Sequence, residues 1–235
     1  MSQAVHLKLA HQSTSDGGGS AHFSVKVKNL GFGKEVSVLY TGDDQQWKAA
    51  PLEFAAHFGN YDLFTGQIHE PLSQFVVRYA IGGEVYYDNQ FGENFRLGPP
   101  QAVVGDNVAL QQATSRQGMR DERGLVVGTS WLEGEILVNH RSFIKTVGVL
   151  LSADGGANWV STNATYASQT TSGGIDVGTN VEVWRFKTPD LRHDPSAVEF
   201  QFAVFYRDGG TGELFWDNSF GQNYSISKLD GACVE

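Results

Sequence analysis

Cysteine is almost missing from this 235-residue chain: the one present, Cys233, stands near the end, so no internal disulfide can form. Basic side chains are scarce too, 17 against 26 acidic ones, for a net charge of -9. That leaves no basic stripe to neutralise a phosphate backbone or an anionic lipid surface, so neither nucleic acid nor a membrane is expected as a partner. No apolar run approaches the ~20 residues that span a bilayer. Met1 to Ala10 alternates polar and apolar residues without the charged start or apolar centre of a signal peptide. The chain as written therefore reads as cytoplasmic, or as part of a larger exported protein.

Catalytic and metal-binding signatures are also lacking. There is no H-E-x-x-H, no G-x-S-x-G and no Walker-type glycine loop. The seven histidines, from His6 to His193, share no repeat position, and no Cys or His cluster has metal-ligand spacing. No cofactor and no metal is expected. A glycosidase needs two carboxylates facing the bond. The acidic residue secure in both halves of the chain is Asp88 and its counterpart Asp217, each read as a turn-former whose carboxylate caps backbone amides. No catalytic residue is expected, and the chain is read as a non-enzyme.

What the sequence does hold is period-2 alternation, as in Phe23-Val25-Val27, Val36-Val38-Tyr40 and Phe200-Phe202-Val204-Tyr206. Such runs, punctuated by glycine-rich turns, predict half-buried antiparallel strands, and no stretch offers a helical stripe. Apolar residues make up 40% of the chain and charged ones 18%, well outside the disordered class. Specific sequence also returns: YDNQFGENF at 87–95 recurs as WDNSFGQNY at 216–224. Upstream, Phe32 to Val36 followed by Trp47 is echoed by Phe143 to Val147 followed by Trp159. The chain is thus expected to be all-β, with two tandem antiparallel β-sandwich domains of immunoglobulin-like type: residues 1–98, a linker at 99–106 that includes Pro99-Pro100, and residues 107–235 with longer loops.

The repeated residues are aromatics and amides. A flat indole or phenol face can lie on the C–H face of a sugar ring, and asparagine offers a donor and an acceptor to paired hydroxyls. Neutral sugars call for that chemistry rather than charge. Trp47 and Trp159 could instead plug the space between sheets, but both follow polar turns, and loop-edge placement favours exposure. For Phe91 and Phe220, inside the motif, core packing and ligand stacking stand equal.

In these residues the sequence resembles carbohydrate-binding module family 21, the starch-binding modules of fungal glucoamylases and of the glycogen-targeting subunits of protein phosphatase 1. The family's elements occur in order as Asn29, Phe32, Lys34, Trp47 and YDNQFGENF, and again as Asn139 or His140, Phe143, Lys145, Trp159 and WDNSFGQNY. The resemblance implies a sugar platform of Trp47 with Tyr87, hydrogen-bonded by Asn89 and Asn94. Its counterpart would be Trp159 with Trp216, Asn218 and Asn223, and a second site would fall on Phe32 and Phe143. Phe91 and Phe220 depart from the family, many members of which carry a polar residue there. The phosphatase-targeting branch also uses a short basic-then-hydrophobic docking segment, which is not found here.

These readings predict non-catalytic binding of an α-glucan, starch or glycogen, through two platforms acting together. Three alternatives stand beside it: a lectin of the same fold for a different glycan, a scaffold that binds proteins through strand edges, and, last, a carbohydrate-active enzyme. The expected partner is a polysaccharide or oligosaccharide, and the sequence points to no particular protein partner.

Overall fold

The computed structural model describes residues 4–13, 19–42, 44–97, 101–168, 171–172, 175–176, 180–192, 198–229 and 231–234. Pro99 and Pro100 of the expected linker lie outside the described residues. Among those residues there is no α-helix, and the elements are strands and two short 3-10 turns. The chain divides into two compact units: residues 1–107 with 169–182, and residues 108–168 with 183–235.

The first ten strands are β1 (Val5–Ser13), β2 (Ser20–Lys28), β3 (Glu35–Thr41), β4 (Lys48–Pro51), β5 (Glu53–Phe58), β6 (Tyr61–Ile68), β7 (Gln74–Ile81), β8 (Glu84–Asp88), β9 (Phe95–Arg96) and β10 (Gln101–Val103). They form an antiparallel sheet ordered β10-β1-β2-β6-β5 and a second ordered β4-β3-β7-β8, with β9 also on β7. The alternation read from the sequence sets the faces. Phe23, Val25 and Val27 of one sheet meet Val36, Val38, Phe75, Val77 and Tyr79 of the other in a shared buried core. Phe23 stands edge-on to Phe75, with ring centroids 5.1 Å apart. Gln101–Val103, inside the stretch expected to be a linker, is a strand paired to β1.

The remaining strands are β11 (Val108–Glu122), β12 (Leu125–Asn139), β13 (Lys145–Ser152), β14 (Val160–Asn163), β15 (Thr165–Ser168), β16 (Thr171–Ser172), β17 (Ile175–Asp176), β18 (Val181–Lys187), β19 (Leu191–Arg192), β20 (Glu199–Asp208), β21 (Leu214–Asp217), β22 (Tyr224–Ser227) and β23 (Cys233–Val234). Their sheets run β15-β18-β12-β11-β23, with β19 on β12, and β14-β13-β20-β21, with β22 on β20. This is the strand order of the first ten over again, down to β23 on β11 where the first set has β10 on β1. The additions are the small β16/β17 ladder, β19, and a longer opening hairpin whose strands have 15 residues each where β1 and β2 have 9.

Both opening hairpins carry a register irregularity, between Leu7 and Leu9 and between Leu110 and Gln112. A bulge disrupts the ladder and leaves an amide to be satisfied from elsewhere. In each unit the aspartate of the repeated motif does this from the opposite sheet. The Leu7 amide donates to Asp88 Oδ2 at 2.7 Å, and the Leu110 amide to Asp217 Oδ2 at 2.8 Å. The local cap expected of this aspartate is present but long, Gln90 N to Asp88 Oδ1 at 3.4 Å. Its shorter bond makes it a clamp between the two sheets.

Candidate functional site

The loop from β2 to β3 throws Phe32 fully into solvent between Gly31 and Gly33, both at positive φ, 142° and 73°. Behind it lies a groove of about 1020 Å³ lined by Asn29, Phe32, Lys34, Phe54, His57, Asp62 and Phe64, among others. Lys34 Nζ holds the groove together, donating to Asn29 Oδ1 at 2.9 Å and pairing with Asp62 Oδ2 at 2.7 Å. His57 Nδ1 lies 2.6 Å from the other Asp62 oxygen. Burial pushes the Asp62 carboxyl up, but the bonds from Lys34 and His57 outweigh it and hold the group below the usual carboxylate value. Asn29, Phe32 and Lys34 are therefore brought together, with Lys34 bound to its neighbours as a strut.

Trp47 and Tyr87 stand elsewhere, on the outward face of the β4-β3-β7-β8 sheet. Tyr87 pairs with Arg78 of β7, while its neighbour Asp88 points inward and is buried. Trp47 precedes β4, one position before Lys48, which pairs with Tyr40. Tyr40 is buried, so alternation puts Trp47 on the face opposite the core. The two aromatics lie toward opposite edges of the sheet, both exposed, with β3 and β7 between them.

The motif residues after Tyr87 form a tight turn. Gln90, Phe91 and Asn94 all adopt left-handed backbone, and Asn89 caps the turn through its Oδ1, which accepts the Gly92 amide at 3.1 Å. The second copy repeats this within degrees, with Ser219 at φ 50°, Phe220 at 61° and Asn223 at 61°, and Asn218 Oδ1 accepting the Gly221 amide at 2.9 Å. In both copies the asparagine acceptor is thus engaged in holding the turn. Phe91 is exposed and Phe220 half-buried, so the first is not packed in the core and the second is partly covered.

In the second unit Phe143 is nearly fully exposed and stands edge-on to His140, centroids 5.1 Å apart. His140 Nδ1 lies 3.5 Å from Lys145 Nζ, a placement like that of Asn29 beside Lys34. Trp159 and Trp216 are each 38% exposed. Trp216 tilts against Phe205 at 5.5 Å, and Phe205 lies over Gly148, where a Cβ would come within 2.8 Å of its ring. Trp159 is pinned by its indole N–H to the Gly156 carbonyl at 3.1 Å. The turn before it is tied by Asp154, whose carboxyl is pulled down to about 2 by the Asn158 backbone and side-chain bonds and by Ser152.

Several residues went unseen in the sequence reading. Phe54 and Phe64 form a T-shaped cross-strand pair at 5.9 Å in the Phe32 groove, and Tyr166 and Trp184 repeat it at 5.8 Å in the second unit. Phe205, itself buried, backs Trp216 from the neighbouring strand. All sit in strands, where an aromatic reads as core until the pairing register is known.

The arrangement is that of a β-sandwich carbohydrate-binding module. The carbohydrate/starch-binding module family 21 matches residues 109–227, just over half of the chain, and the chain belongs to that family. Glucoamylase 1 of Rhizopus oryzae is 26% identical over 80 residues, 31% of this chain and only 13% of that enzyme's length. Among solved structures, the starch-binding domain of Rhizopus oryzae glucoamylase, in complex with β-cyclodextrin and maltoheptaose, is similar with TM-score 0.34 and 23% identity over 40% of this chain and 92% of that one. The carbohydrate-binding module of the muscle glycogen-targeting subunit of protein phosphatase-1 is similar with TM-score 0.32 and 21% identity, over 50% of this chain and 77% of that one.

Proposed function

We propose that the chain is a non-catalytic α-glucan-binding protein in which both units are family 21 modules that act together on one polymer. The observation that carries this reading is the repeated exposure of large aromatics at corresponding positions: Phe32 and Phe143, Trp47 and Trp159, Tyr87 and Trp216. Three such side chains held in water per unit are well suited to stacking on sugar rings. Asn89, Asn94, Asn218 and Asn223 supply amides on the turn beside them, and Lys34 and Lys145 brace the Phe32 and Phe143 loops. The family description names starch, and one relative is a glucoamylase. The carboxylate repeated in both copies is engaged as a sheet clamp, which supports a binding role without hydrolysis.

The test is titration of the full chain with maltoheptaose and with glycogen, beside an assay for released reducing ends. Oligosaccharide binding is expected on the order of 10–100 μM, because shallow polar contacts barely exceed the association penalty. Glycogen should bind up to ~100-fold more tightly through effective concentration, and Trp47→Ala or Trp159→Ala should remove most of that gain. Absence of saturable binding to any α-glucan, or hydrolysis that survives repurification, overturns the proposal.

A further inference from the structure

Trp47 walls a second hollow, of about 490 Å³, closed by Thr41, Gly42, Gln45, Ser73 and Gln74. It lies where the end of β3, the turn into β4 and the start of β7 meet. Its floor is backbone-fixed: Thr41 pairs with Gln74, and the Ser73 amide and hydroxyl both donate to the Thr41 carbonyl, at 2.9 and 3.1 Å. On the rim, Gln45 is held at φ 55° while its amide donates to the Gly42 carbonyl at 3.2 Å. That left-handed conformation is uncommon outside glycine and is retained where surroundings over-determine it. Among the described residues, neither the Gln45 nor the Gln74 side-chain amide engages in a hydrogen bond, and no charged side chain lines the hollow.

The same corner of the second unit is filled. Ser152 pairs with Gln201 there, as Thr41 pairs with Gln74. The turn that follows folds back over it: the Gly156 amide donates to Ser152 Oγ at 2.9 Å, its carbonyl accepts the Trp159 indole, and Gln201 Oε1 lies 3.3 Å from where a Gly156 Cβ would stand. Backbone therefore occupies in the second unit the space that stays open in the first.

We infer that the first unit, and not the second, has an additional glucosyl subsite in which a sugar adjoining the ring stacked on Trp47 enters this hollow and bonds the Gln45 and Gln74 amides. The inference rests on the α-glucan reading of the Trp47 surface and deepens it, since the two units then differ in the length of glucan they grip. The volume lies within the ~300–1,000 Å³ of small-ligand sites. Among the described residues the lining is of amides and hydroxyls without charge, which matches the hydroxyls of a neutral pyranose, each amide offering both donor and acceptor.

The test uses the full chain with Phe32, Phe143, Trp159 and Trp216 replaced by alanine, which leaves Trp47 and Tyr87 of the proposed stacking surface, titrated with maltotriose and maltoheptaose. Adding Gln45→Ala with Gln74→Ala should weaken maltoheptaose binding roughly tenfold, the loss of two neutral hydrogen bonds, and flatten the dependence on chain length. Gln45→Ala alone, on an exposed turn, should weaken it by about threefold, and melting curves check that the fold survives. In the reciprocal background, with Trp47 replaced and Trp159 kept, Gln201→Ala should change nothing. If the double variant binds maltoheptaose like its parent while Trp47→Ala abolishes binding, the subsite is refuted and the glucan reading stands. If the unmodified chain binds no maltooligosaccharide, both fall together.

Discussion

The two units place the same aspartate at the same bulge and surround it differently. Asp217 is half-buried, and besides the Leu110 amide it accepts the Tyr224 hydroxyl at 2.8 Å. Asp88 is almost wholly buried, and the aromatic that corresponds to Tyr224 is Phe95, which has no hydroxyl. The rings stack alike, Phe95 on Phe75 at 5.0 Å and Tyr224 on Phe202 at 5.3 Å. Burial pushes the Asp88 carboxyl up to about 6, against the pull of the Leu7 amide and with a further push from Asp106, itself paired to His6 at 2.7 Å. The geometry of the clamp is kept in both copies, while the Tyr224 hydroxyl that bonds Asp217 has no counterpart on Phe95 beside the more deeply buried Asp88.

Removing the clamps gives the largest effect. Asp217→Ala leaves a strand amide and the Tyr224 hydroxyl without their acceptor and should cost about 3 kcal/mol, the upper part of the range for orphaned buried groups. Asp88→Ala strands one amide but also relieves a buried charge, so at pH 8 it should cost only about 1 kcal/mol. Amide exchange at Leu110 and Leu7 reads each unit separately. Equal losses in the two units at pH 8 break the comparison.

The pH dependence sharpens it. The folded value for Asp88, about 6, lies above the ~3.9 of an unfolded aspartate, so folding favours the protonated form. Its contribution is fully present below about pH 4 and is lost as pH rises through about 6, by an amount on the order of 3 kcal/mol. Phe95→Tyr, which installs the donor present in the other copy, should flatten this slope in the first unit by lowering the Asp88 value. Asp88→Asn, which keeps an acceptor and cannot titrate, should abolish the slope. A slope that survives Asp88→Asn assigns the titration to another group.

The clamp and the groove show what a sequence exposes and what it hides. The all-β character and the internal repeat were legible because alternation marks faces and because the closing motif returns in register, whereas the strand order was not read. The exposure of Trp47 and Trp159 was legible from the polar turns before them. The role of Asp88 was not, since its partner is a backbone amide 81 residues away, and amides carry no sequence signature. Phe54 and Phe64, or Tyr166 and Trp184, become a pair only once the register of two strands is known. The motif ending in Phe95 or Tyr224 was visible as an aromatic in both copies, but the consequence of its hydroxyl appears only beside a buried carboxylate.

The smallest expected difference concerns the two tryptophans and separates stacking surface from core plug. Trp47 is 53% exposed and lines an open hollow, so Trp47→Ala should shift stability by no more than about 0.5 kcal/mol, as for an ordinary surface position. Trp159 is 38% exposed, and its indole N–H holds the Gly156 carbonyl of a turn already tied by Asp154 and Ser152. Trp159→Ala should cost about 1 kcal/mol more than Trp47→Ala, one hydrogen bond and some packing. Trp159→Phe keeps the ring but not the donor, and should recover the packing share alone. A core plug in either place would instead cost about 3–5 kcal/mol on truncation. A loss of that size at Trp47 would withdraw it from the sugar surface and take the adjoining subsite with it, whereas a small loss accompanied by weaker glucan binding keeps it there.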